Sequence, residues 1–283
     1  WFTTATSGNT LSDDGVSLSY PATFEFPLVT PTPSGSRVRS EPIANASNSR
    51  LLAQTIPLNV DGTVRYASAL FRKNRANGAT ANDNILLEFA DSGGNRRWGF
   101  GIEGAGDKPW LNANGSTTPS AGPVVTVGDT YFIVAKIVSS AAGVDTAYLK
   151  VFGTGYGSQV PANEPSTWDA TLTESTGAIL DRIRVRIDSA NSAGSPGEVD
   201  DIRIANTWRD VVGTSEPTLK ILQNPPDVIV AWPTNSGSFA LQSLESLSTT
   251  NWTDVSTPPV VSGTSNTVTI TNVSTLGFFR LKR

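Results

Sequence analysis

The stretch GEVDDIRIANTW, residues 197–208, decides how this chain is read. It sets three acids, Glu198, Asp200 and Asp201, at the head of a run that alternates like a half-buried strand. Those carboxylates fit a catalytic pair, a cation site or the polar half of a strand. Strict alternation favours the third. It places Asp201 and Arg203 on one face, available for cross-strand pairing with Arg182, Arg184 and Arg186, and leaves Asp200 at a rim where its carboxylate accepts turn N–H groups.

Working outward, the same period of two recurs. RWGFGIEG puts Trp98, Phe100 and Ile102 on one face against Gly99, Gly101 and Glu103, and ILDRIRVRIDS alternates Ile183, Val185 and Ile187 with its three arginines. Clusters of Gly, Asn, Asp and Pro separate the runs, and no window of twelve residues carries a helical period. The expected fold is all-β. A large sandwich of about 12 to 14 strands spans residues 1–213. A short linker covers 214–217, and a small immunoglobulin-like or fibronectin-like sandwich of six short strands covers 218–283.

Composition narrows the chemistry. With no cysteine and no histidine among 283 residues, thiolate metal sites, disulfides and histidine-based triads are excluded. A net charge of −4 provides no basic footprint for nucleic acid, and no apolar run is long enough to span a bilayer as a helix. Low charge with abundant Ser, Thr, Gly and Asn suits an extracellular or cell-surface protein, released after removal of a signal peptide. The chain begins at Trp1 and holds no methionine, which suits such processing.

The segments YFIVAKIVSSAAGVDTAYLKVF, ILDRIRVRI and GEVDDIRIANTW together resemble the concanavalin-like (laminin-G-like) jelly-roll domain of large secreted bacterial surface proteins. Val199 to Ile204 and Trp208 match that family's closing strand, with Ala205 in its glycine place. The end of the chain, from IVAWPTNSG to GFFRLKR, is similar to the small sandwich that closes many of those proteins. The resemblance implies fold and secretion. It implies no single activity, because the fold hosts lectins, glycosidases and spacers. It also implies a strand ahead of Trp1, whose absence would leave an unpaired edge open to another chain. Glu198 and Asp200 fit the first two places of the E-x-D-x-x-E strand of retaining glucanases. Arg203 stands in the third, and two carboxyls about 6.6 Å apart along a strand exceed the about 5–5.5 Å of retaining pairs.

The preferred reading is therefore non-catalytic: a structural or adhesive extracellular protein, with a homopolymeric filament as its candidate assembly. Trp1, Phe2, Phe278, Phe279 and Arg283 are its candidate contacts. The alternative is a lectin-like carbohydrate-binding module for surface glycans. It would use Trp110 as an exposed aromatic in the loop GDKPWLNANGS, with Asn112 and Asn114 hydrogen-bonding hydroxyls. Trp98, Trp208, Trp232 and Trp252 read as core. A glycoside hydrolase is the third reading. No cofactor is expected apart from a candidate Ca²⁺ at Glu198, Asp200 and Asp201.

Overall fold

The computed structural model describes residues 10–13, 15–26, 37–41, 46–76, 83–141, 143–188, 195–213, 219–233, 239–248, 251–263, 265–271 and 277–282. The chain divides into two compact units, the second taking Phe26 as well as the residues after Val212. The expected linker, 214–217, lies outside the described residues.

The described residues of the first unit form thirteen strands: β1 (Thr10–Asp13), β2 (Val38–Glu41), β3 (Ala46–Pro57), β4 (Val64–Lys73), β5 (Ile85–Asp91), β6 (Arg96–Ile102), β7 (Pro109–Ala113), β8 (Ser116–Pro119), β9 (Thr130–Val138), β10 (Asp145–Phe152), β11 (Ala170–Glu174), β12 (Ile179–Ile187) and β13 (Gly197–Ala205). One sheet runs β1-β2-β13-β4-β9-β10-β11 and the other β3-β12-β5-β6-β7-β8, every pairing antiparallel. This is the all-β jelly-roll sandwich expected.

The core lies between the sheets. From the six-stranded sheet it takes Phe89, Trp98, Phe100, Leu111, Ile183, Val185 and Ile187, the inward half of each alternation. Trp98 stacks on Phe89 with ring centroids 4.6 Å apart. The seven-stranded sheet is buried on its outer side as well. There Leu18, Tyr20 and Phe24 join Leu70, Phe132 and Phe152, and the single turn α1 (Trp208–Val211) places Trp208 against Phe152. Its central strands β4 and β9 therefore carry near-continuous buried runs, as strands covered on two sides must.

The second unit holds β14 (Lys220–Asn224), β15 (Asp227–Pro233), β16 (Ala240–Leu244), β17 (Thr253–Asp254), β18 (Val260–Ser262), β19 (Ser265–Ile270) and β20 (Phe278–Lys282). Sheets β14-β15-β19-β18 and β17-β16-β20 enclose Val230, Trp232, Leu241 and Val268. The structure adds β18 to the six strands expected, because the three-residue VVS is too short and too exposed to show a period. Trp252 is half-buried rather than core, with the Arg280 guanidinium 4.4 Å above its ring.

Candidate functional site

The acids of the opening stretch do not converge on a common point. Glu198 is buried on β13 beneath Arg72, 2.5 Å from its Oε2, and Arg37, 3.3 Å away, while Asn74 donates to its other oxygen. Asp200 accepts the backbone N–H of Leu18 at 2.7 Å and that of Asp201 at 2.8 Å. Burial raises its pKa, and those two amides oppose the rise. Asp201 has a left-handed backbone (φ 45°), accepts the Tyr20 hydroxyl at 2.5 Å and pairs with Arg203 at 2.9 Å. Burial, and then the Asp201 carboxylate, push the Tyr20 pKa well above its ordinary value of 10.

Two expectations are corrected here. The candidate Ca²⁺ ligands each face different cations or amides, and no cluster of metal-ligating side chains occurs among the described residues. The proposed pairing of Asp201 with the arginine ladder also fails. β13 lies in the seven-stranded sheet and β12 in the other, and the register slips at a bulge between Asp200 and Arg203.

The arginine ladder finds its counter-charge in Glu88 of β5. Arg184 Nε lies 2.5 Å from one Glu88 oxygen and Arg96 3.0 Å from the other. Arg186 stands 3.9 Å from Glu88 while pairing mainly with Asp188 at 2.8 Å. The Glu88 side chain is wholly buried, and the guanidinium groups above it are partly exposed. Sequence reading overlooked Glu88 because NILLEFAD reads as an apolar run with one polar residue. Its parity with Leu86 and Ala90, opposite Leu87 and Phe89, was the available signal.

Register then assembles the outer face of this sheet. Arg184, Glu88, Gly99, Asn112 and Thr117 lie in one cross-strand row, and Arg186, Leu86, Gly101, Trp110 and Pro119 in the next. β6 contributes only glycine to both rows, so it forms a backbone floor between Glu88 and Leu86 on one side and Asn112 and Trp110 on the other. The two walls stand two strands apart, about 9–10 Å. A Cβ on Gly101, whose φ is 155°, would fall 2.0 Å from the Ile85 carbonyl oxygen, and one on Gly99 2.9 Å from that of Leu87.

Trp110 and Asn112 are therefore neighbours on one face of a strand, and Trp110 is not the exposed loop aromatic expected from its sequence. It is 8% exposed and Asn112 1% exposed. Among the described residues, Trp110 Nε1 and both polar atoms of the Asn112 amide have no hydrogen-bond partner. Trp98 and Trp232 also hold unpartnered indole nitrogens, but these rings sit in apolar cores. Asn114 is separated from the pair. With Gly115 it makes the two-residue turn between β7 and β8 (φ 48° and 98°), where Arg97 donates to its side-chain oxygen and its amide donates to the Ser175 carbonyl. Trp168 and Trp208 pack edge-to-face at 5.9 Å elsewhere. Phe278 and Phe279 are half-buried in β20, with Phe279 packed on the core of its own unit. Trp1, Phe2 and Arg283 lie outside the described residues.

No family model and no curated protein matches this chain. Solved structures do. An endo-β-1,4-glucuronan lyase from the fungus Trichoderma reesei is similar at 11% identity and a TM-score of 0.45, over 74% of this chain and 93% of that one. A carbohydrate-binding module, CBM66 from Bacillus subtilis, is similar at 13% identity and 0.34, over 64% and 98%. An alginate lyase of polysaccharide lyase family 7 is similar at 11% identity and 0.33, over 70% and 76%. The likeness concerns the sandwich architecture alone. The expectation that the chain is not an enzyme is corrected: two of these three structures are lyases, so a non-catalytic role does not follow from a sandwich of this kind.

Proposed function

We propose that this chain is an extracellular carbohydrate-binding protein, and that its sugar site is the glycine-floored trough on the outer face of the six-stranded sheet. The observation that carries the reading is the Asn112 amide, buried and, among the described residues, without a partner, beside the equally unpartnered Trp110 indole N–H. A buried amide with neither donor nor acceptor satisfied costs free energy, and a ligand that supplies both recovers it. Adjacent hydroxyls of a sugar offer both at once. Across the trough, Arg184 and Arg186 present guanidinium N–H groups, which suit hydroxyl or carboxylate oxygens. The filament reading has less support, because Phe279 already has partners within its own unit.

The test is calorimetric titration of the full chain with neutral and uronate-containing oligosaccharides, comparing the parent with Asn112→Leu and Trp110→Phe. The second variant keeps a ring and removes the N–H. Both should weaken binding by about tenfold or more, the worth of one or two hydrogen bonds. Unchanged binding in both variants would rule out the trough as the site. Following the same mixtures for new reducing ends and for unsaturated uronate reads any turnover.

A further inference from the structure

The inward-facing residues of β4 are Arg65, Ala67, Ala69, Phe71 and Lys73, so the core stripe of this strand begins and ends with a cation. The two ends are treated differently. Lys73 is wholly buried and ion-paired with Asp107. Arg65 has no ion pair and no hydrogen bond among the described residues, and its Nε is buried. A buried guanidinium nitrogen without an acceptor is costly, so the contrast needs an explanation.

Arg65 lines an open-mouthed cavity of about 500 Å³ at one end of the sandwich. That size lies within the about 300–1,000 Å³ of small-molecule sites. Leu52 and Ile56 of β3 wall it from one sheet and Ile204 of β13 from the other, so the gap between the sheets is unfilled where Arg65 enters. Gln54, Asn206 and Asp210 add polar groups to the lining. The Asp210 carboxylate is held by the Thr207 hydroxyl at 2.6 Å.

We propose that this cavity is a second ligand site, for a small hydroxylated carboxylate of monosaccharide size. The carboxylate occupies the fork of Arg65, which matches it in planar geometry. Hydroxyl groups face Gln54, Asn206 and Asp210, and the apolar face of the ring lies on Leu52, Ile56 and Ile204. Asp210 disfavours a bare anion there and favours hydroxyl donors, which is why the ligand carries both groups. The site is separate from the trough and does not depend on it.

The experiment is an amide NMR titration of the full chain with D-glucuronate, and with D-glucose as the neutral control. Glucuronate should shift resonances around residues 52–56, 65 and 204–206, and glucose should not at equal concentration. Arg65→Gln should weaken glucuronate by about tenfold or more, the value of a charge-assisted contact. Leu52→Trp, which fills the cavity and keeps Arg65, should abolish the response. Equal responses to both sugars, no response to glucuronate in the millimolar range, or a full response in Leu52→Trp would each overturn the proposal, and the last holds even if Arg65→Gln fails to fold.

Discussion

Arg184 and Glu88 sit opposite one another on adjacent strands β12 and β5, and a 2.5 Å contact joins the guanidinium to a carboxylate with no exposed surface. Arg96 approaches the same carboxylate from the other neighbouring strand, so one buried anion ties three strands together. Replacing Glu88 with Gln removes the anion and leaves the arginines facing one another. Loss of one partner of a buried ion pair costs about 3–5 kcal/mol. Urea denaturation should show a loss of that order; a loss below about 1 kcal/mol would mean that solvent already neutralises the arginines.

The opposite outcome is expected at Asn112. Its amide makes no hydrogen bond among the described residues, so an apolar side chain of similar size should leave the free protein as stable or more so. The thermal midpoint of Asn112→Leu should therefore equal or exceed that of the parent, even as sugar binding falls. A clear drop in midpoint would indicate that the amide has a structural partner in solution.

Gly101 permits the floor of the trough. With φ at 155° and the Ile85 carbonyl oxygen 2.0 Å from where a Cβ would stand, Gly101→Ala must push β5 and β6 apart. The expected cost is about 3 kcal/mol or more, combining backbone strain with overpacking. Gly99→Ala, at 2.9 Å from the Leu87 carbonyl oxygen, should cost less, and comparing the two denaturation midpoints checks the ranking.

Asp91 closes the turn between β5 and β6. Burial opposes its ionisation, but the Arg97 side chain and the Asn95 backbone and side-chain amides outweigh that and hold its pKa at about 2, against an ordinary 3.8. A pKa depressed by folding contributes stability above the unfolded value and loses it as pH falls through the folded one. The difference in melting temperature between the parent and Asp91→Asn should thus be full above pH 3.8 and shrink toward pH 2. A difference that does not vary with pH would assign the effect to turn geometry instead of charge.

Much of the fold was legible because strand alternation is a local property. The inward Trp98, Phe100 and Ile102 and the outward arginines of β12 follow from the period of two along their own segments. β4 and β9 were less legible, since burial on both faces erases the alternation. The turn α1 was missed because four residues show no period, although Thr207 and Asp210 form the capping pair that marks a helix start.

By itself, then, the sequence determined that this is an all-β chain, where many of its strands run and, for those covered on one side, which face is apolar. Only the tertiary structure decided that the arginines of β12 meet Glu88 rather than Asp201, that Trp110 is buried beside Asn112, and that Arg65 enters an unfilled gap. Each of these depends on which strands become neighbours. Pairing of distant segments is set by the packing of the whole sandwich, and the spacing of residues within any one segment carries no record of it.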